Sequence, residues 1–190
     1  MAKFVISKIM TVEGKEIIFR PIISNDAENL LVFRRQIASE TTNTMQYIGQ
    51  EYPPIEETAK RLSAQLEDRT TVNAGAFSDS NLVAYLNLRL PWADHPWMPH
   101  LAQFGMMVLK DFWGQGIGKK LLKIQEEHAQ SIGVSRIEAM VRITNERGLS
   151  LYERNGYKIE GTRKKAALIN NEFVDEYFIA KILDDPFRSW

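Results

Sequence analysis

The apolar positions of the chain switch between a period of two and a period near three and a half, and the order of the switches predicts its elements. Glu16 to Pro21 is an apolar, β-branched run closed by a proline, as a strand would be. Ser24 and Asn25 then offer N-cap oxygens before Leu30, Leu31, Phe33, Arg34 and Ile37, which recur at helical steps. From Ser39 to Pro54 no period survives, and Thr41, Thr42, Asn43 and Thr44 stand together. That stretch reads as a long loop or broken helix, the kind of segment that often carries function. Helical spacing returns from Ile55 to Asp68 through Ala59, Leu62 and Leu66, with Pro53 and Pro54 placed to start it.

Strand character follows. Thr71 to Phe77 and Leu82 to Leu90 flank the turn formers Ser78, Asp79, Ser80 and Asn81, a hairpin signal. Beyond the Trp- and Pro-rich stretch Pro91 to Pro99, Leu101 to Leu109 predicts a strand and Gly116 to Gly133 a helix. Ile137 to Ile143 is another strand, and Glu146 to Arg154 a short helix ended by Asn155 and Gly156. Tyr157 to Ile169 and Phe173 to Leu183 are strand-like runs joined at Asn170 and Asn171, residues that tolerate the positive φ of a tight hairpin. No internal repeat interrupts this order, which predicts an α/β chain.

Composition narrows the picture. With 190 residues and 44% hydrophobic content the chain can bury a sizeable core, and one domain over residues 1–190, with its core at about 16–183, is expected. Lys plus Arg number 24 and Asp plus Glu 24, so no global field draws in nucleic acid or an anionic membrane, and any anion site must be local. The chain has no Cys, which excludes disulfides, thiolate metal sites and a cysteine nucleophile. Met1 to Met10 mixes Lys3 and Lys8 with short apolar pieces and lacks the apolar stretch of a signal peptide or membrane span; the expectation is a cytoplasmic protein.

The segment Trp113-Gly114-Gln115-Gly116-Ile117-Gly118-Lys119-Lys120 lies between a strand and a helix. Alternate glycines let the backbone turn tightly and present N–H groups to an anion, and the following helix adds its positive dipole end. A tight strand-to-helix turn with no ligand would use the same glycines. Two other phosphate motifs fail here. A P-loop needs Gly where Trp113 stands and Ser or Thr where Lys120 stands, and a dinucleotide fingerprint needs Gly at Lys119.

The chain resembles the GCN5-related N-acetyltransferases from about Glu16 to Leu183. Gly116 and Gly118 match that family's turn motif, while Trp113 replaces its leading basic or amide residue. The second marker, Asn145 to Tyr157, is similar to the family's Asn to Tyr to Gly-aromatic stretch. The resemblance implies an α/β (α+β) fold with a central, mainly antiparallel mixed sheet, helices on both faces, and a splayed strand pair holding the cofactor as if it were an extra strand. It implies acetyl-CoA as co-substrate, held by Gly114, Gln115, Gly116, Ile117, Gly118, Lys119, Asn145 and Tyr152 and by backbone near Met107, Val108 and Leu109. It also implies transfer to a primary amine of a small molecule or of a peptide or protein N-terminus. The protein N-terminal and small-amine subgroups share this layout, as do polyamine acetylases, and homodimers are common among them.

By the same resemblance Tyr152 protonates the leaving thiolate, a role suited to a phenol of pKa about 10. The bland readings are a buried helix aromatic for Tyr152 and a structural N-cap for Asn145. A base must also take a proton from the amine. Many family members place Glu in the strand before the turn, where this chain has Gln103. His100 is the nearest titratable alternative, with Glu40 and Glu51 more distant; His95 has less support, and His128 reads as an exposed helix residue. No metal-ligand spacing links the three histidines. The alternative to an enzyme is a noncatalytic acyl-CoA-binding module that lacks an effective base.

Overall fold

A computed structural model of the chain describes residues 7–10 and 14–183. Eight strands form one sheet: β1 (Ser7–Met10), β2 (Glu16–Pro21), β3 (Thr71–Ser78), β4 (Asn81–Arg89), β5 (Leu101–Val108), β6 (Arg136–Arg142), β7 (Lys158–Ile169) and β8 (Glu172–Ile182). Their order is β1-β2-β3-β4-β5-β6-β8-β7, antiparallel throughout except for the single parallel pair β5–β6. Four helices accompany it: α1 (Ala27–Glu40), α2 (Ile55–Glu67), α3 (Ile117–Ser131) and α4 (Glu146–Arg154). This is the α+β fold with a splayed parallel pair that the resemblance implied.

Local chemistry explains most boundaries. The hairpin turns at Asp79–Ser80 and Asn170–Asn171 hold positive φ at both central residues (47° and 68°, 51° and 65°), the geometry of a two-residue turn that follows the strand twist. At the start of α1, Asp26 stands at the N-cap rather than Ser24 or Asn25. Its carboxylate accepts from the Ile23 N–H at 2.9 Å and pairs with Arg20 at 2.6 Å, so the two polar residues before it fall in a 3-10 turn. The four-residue edge strand β1 is too short for its pattern to announce it.

Cross-strand partners share a face of the sheet, which fixes what each face carries. Asn73, Tyr85 and Asn87 face α1 and α2: Asn73 donates to Gln65 of α2, the Tyr85 hydroxyl and the Asn87 amide both donate to Asn73, and Arg34 of α1 lies 6.0 Å from the Tyr85 ring. The opposite face carries Leu86, Leu88, Ala102, Phe104 and Ile137, buried beneath α3 and α4 together with Leu121, Leu122 and Tyr152. Burying these side chains is the dominant favourable term in holding α3 and α4 to the sheet.

Candidate functional site

The site begins where β5 and β6 part. They pair only at Leu101↔Arg136, Ala102↔Ile137 and Gln103↔Glu138. Beyond Gln103, β5 continues beside β4 while its other edge faces an opening. Backbone groups alternate between the two edges of a strand. The Leu109 N–H donates to the Val83 carbonyl, on the β4 side, so the peptide groups of Met106 and Val108 turn toward the opening. Of Met107, Val108 and Leu109, the expected backbone contacts, only Val108 turns its peptide groups there, and its carbonyl already accepts the Trp113 indole N–H at 2.8 Å.

At the far end of β5 the chain turns through Gly114 and Gly116, both in the left-handed region at φ 78° and 80°. A Cβ on either would meet nothing within 4 Å, so these glycines serve backbone conformation and leave the outer side of the turn open. The Lys120 N–H makes the first helical bond, to the Gly116 carbonyl, which leaves the N–H groups of Ile117, Gly118 and Lys119 ahead of the ladder of α3. Gly118 has a different purpose. A Cβ there would stand 2.9 Å from Leu151 Cδ2 and 3.5 Å from Met106 Cε, so its absence lets α3 close on α4 and β5. Gln115 donates its side-chain amide to the Asp111 carbonyl, bracing the turn from within.

Helix α4 brings the second group of residues. Asn145 is its N-cap, and its Oδ1 accepts from the Gly148 N–H at 3.0 Å. A Cβ at Gly148 would lie 2.5 Å from Asn145 Nδ2, so Gly148 makes room for the capping side chain. The structural reading of Asn145 therefore holds for Oδ1. Tyr152 is 7% exposed and packs edge-on against Phe104 and Tyr157, with ring centroids at 5.6 and 5.8 Å. Burial pushes its phenol pKa well above the ordinary value, and its hydroxyl has no hydrogen-bond partner among the described residues. Phe104 is the first residue of β5 past the parting, so Tyr152 packs against the mouth of the opening.

On the opposite face a cavity of about 220 Å³ opens at the same parting, lined in part by Arg89, Gln103, Gly105, Glu138, Met140 and Phe178. Glu138 is 5% exposed. Its carboxylate accepts from Gln103 Nε2 at 3.2 Å and from Arg136 Nε at 3.1 Å, and Arg136 also pairs with Glu160. This buried carboxylate is the group that reading from the sequence missed. The available signal was a lone acidic residue between Ile137 and Ala139 in an apolar strand, where burial demands a reason.

The other candidate bases lie elsewhere. The structure places His100 just ahead of β5, its carbonyl accepting from the Ser135 and Arg136 N–H groups, and roughly 13 Å along the strand from Phe104. Glu40 accepts from the Lys110 backbone N–H at 2.7 Å and from Gln36, fastening the end of α1 to the segment after β5. Glu51 is exposed in the loop before α2. His128 is half-buried rather than exposed; its Nε2 lacks a partner, and burial lowers its pKa. Among the described residues no three His, Asp or Glu side chains are placed to hold a metal, and no helix is long and apolar enough to cross a membrane.

A mainly antiparallel sheet, one parallel pair that parts halfway and a glycine turn into a helix at the end of the parting strand together define an α+β scaffold shared with one known family. The chain belongs to the acetyltransferase (GNAT) family, whose model matches residues 35–157. It is 32% identical over 105 residues to the L-amino acid N-acetyltransferase AaaT of Escherichia coli, a match that covers 55% of this chain and 64% of that protein. A GNAT-family acetyltransferase of Streptococcus pneumoniae shares the fold with a TM-score of 0.81 at 24% identity, over 88% of this chain and 99% of that one. The structure of yncA from Salmonella typhimurium with its cofactor acetyl-CoA superposes with a TM-score of 0.75 at 14% identity, over 88% of this chain and 94% of that one.

Proposed function

We propose that the chain transfers an acetyl group from acetyl-CoA directly to a primary amine, with residues of about 16–183 acting as one acetyltransferase domain. The observation that carries this reading is that the parting of β5 from β6 runs toward the Gly114–Gly118 turn, joining a strand-shaped slot to an anion cradle. Acetyl-CoA supplies a thioester carbonyl and a thiol leaving group. The N–H groups of Ile117, Gly118 and Lys119 would hold its pyrophosphate, with the positive end of α3 behind them. Backbone at Met106 and Val108 would pair with the pantetheine arm, and the Asn145 Nδ2, not used in capping, would donate to it.

Glu138 and Tyr152 divide the proton work from opposite faces of the sheet. Glu138 accepts the proton shed by the acceptor nitrogen as the N–C bond forms. Tyr152 donates one to sulfur as the C–S bond breaks. A phenol whose pKa is raised by burial remains a proton donor across the neutral range, so it fits the acid and not the base. Glu138 replaces His100 as the proposed base because it borders the parting and His100 does not. The amino-acid acceptor named for the Escherichia coli relative is one amine that this chemistry can take.

Direct calorimetric titration with acetyl-CoA, with ATP and a nicotinamide dinucleotide as controls, tests the reading. The expected result is saturable binding of acetyl-CoA alone, followed by thiol release when an amine is added. The chain has no Cys, so every thiol detected is free CoA. Folded protein that ignores acetyl-CoA would end the proposal.

A further inference from the structure

The cavity at the parting has an internal charge order. On the face it occupies, Arg89 of β4, Gln103 of β5 and Glu138 of β6 lie in register on neighbouring strands. Arg89 donates to Gln103 Oε1 at 3.1 Å, and Gln103 donates through Nε2 to Glu138 Oε1 at 3.2 Å. The amide is thus held with its oxygen toward the cation and its nitrogen toward the carboxylate. Among the described residues Arg89 is exposed and forms no ion pair, whereas Glu138 is buried and tied to Arg136. Gly105 leaves the floor open: a Cβ there would meet nothing within 4 Å. Met140 and Phe178 form an apolar wall, with Met140 51% exposed.

Resting on the acetyltransferase reading, we infer that the acceptor is a free α-amino acid with an apolar side chain, its carboxylate on Arg89 and its amine toward Glu138. A zwitterion laid along Arg89–Gln103–Glu138 presents its charges in the order opposite to the pocket's, which is the favourable one. A polyamine would place a second cation near Arg89 with no carboxylate to receive it. A protein N-terminus would bring to the exposed Arg89 a neutral peptide carbonyl, a weaker acceptor than a carboxylate. At about 220 Å³ the cavity lies below the range of roughly 300–1,000 Å³ usual for drug-sized ligands, and suits one small metabolite. The Met140–Phe178 wall gives the side chain an apolar surface to cover.

The experiment compares leucine, leucinamide and spermidine as acceptors, by thiol release and by calorimetric binding to the CoA-saturated protein, for the wild type and for Arg89→Gln and Arg89→Lys. The expected result is a preference for leucine over leucinamide of about three- to fivefold at low ionic strength, the worth of one ion contact at an exposed guanidinium. Arg89→Gln brings that acid-to-amide ratio close to one, Arg89→Lys restores part of it, and spermidine is the poorest acceptor. A ratio near one in the wild type overturns the inference, as does spermidine as best acceptor or a ratio that survives Arg89→Gln. The binding arm reads the same ratio if turnover is slow. Failure of acetyl-CoA itself to bind removes the acetyltransferase reading, whereas acetyl-CoA binding with no acid preference removes only the amino-acid assignment.

Discussion

The glycine turn and the cavity at the parting lie along one strand, β5, yet they are made of different material. At the turn, the groups proposed to bind are peptide N–H donors, and the side chains that matter are the ones missing: Gly114 and Gly116 for their φ, Gly118 for the close approach of α4. At the cavity the groups proposed to bind are side chains from three neighbouring strands, brought together by the register Arg89↔Gln103↔Glu138. A ligand common to many enzymes can be held by backbone, which every sequence possesses. Selecting one acceptor needs side chains, which each sequence can change without disturbing the turn. The two ends can therefore be broken separately by mutation.

Tyr152→Phe should have the largest effect. The substitution keeps the ring between Phe104 and Tyr157 and removes only the hydroxyl, so packing is retained. If that hydroxyl protonates the leaving sulfur, turnover falls by about 10²–10⁴-fold, the usual worth of a positioned acid. Acetyl-CoA affinity should change by no more than about threefold, because the variant leaves the turn intact. Steady-state turnover beside a binding titration separates the two quantities. Turnover equal to wild type would return Tyr152 to a packing role.

Gly116→Ala attacks the other end. At φ 80° an alanine is strained by about 1–2 kcal/mol whatever the space around it, and here the space is empty, so strain alone is responsible. The expected outcome is a fall in Tm of a few degrees and a loss of acetyl-CoA affinity of roughly tenfold as the turn relaxes away from the shape proposed to hold the pyrophosphate. Gly118→Ala makes a useful contrast, because its φ is ordinary and its Cβ would press on the flexible end of Leu151. If Gly116→Ala lowered Tm but left acetyl-CoA affinity unchanged, the turn would be structural only.

The same difference in material decides what the sequence could disclose. The turn was legible because glycines at alternate positions between a strand and a helix carry their meaning locally, and Asn170–Asn171 disclosed a hairpin for the same reason. Among the described residues, seven of the eight strands and all four helices follow from the sequence pattern, whereas β1, with four residues, offers too little. Glu138 showed in the sequence only as a lone acidic residue in an apolar strand, because Gln103, which donates to it, and Arg89, which in turn donates to Gln103, are 35 and 49 positions away from it and joined by strand register alone. Gln103 itself misled. It occupies the neighbourhood of a usual carboxylate, which drew attention to His100 nearby in sequence, while the carboxylate sits one strand across and hydrogen-bonds to that same glutamine. His128 failed for another reason: helical position alone does not say which face of α3 is covered.

Arg147→Ala should produce the smallest effect and addresses the motif's one departure. Trp113 stands where the family pattern has a basic or amide residue, and its indole N–H is committed to the Val108 carbonyl. The Arg147 guanidinium lies 4.8 Å over the indole ring, exposed and, among the described residues, without a carboxylate partner. A flat ring facing a cation holds it by cation–π attraction, so Trp113 positions at the turn the charge that it does not itself carry. An exposed cation near an anion contributes modestly and is screened by salt, so Arg147→Ala should weaken acetyl-CoA binding about two- to fivefold at low ionic strength and almost not at all near 1 M, where the Debye length is about 3 Å. Titrations at both salt concentrations check this. A loss that persists undiminished in high salt would mean that Arg147 acts by packing on Trp113 and not by its charge.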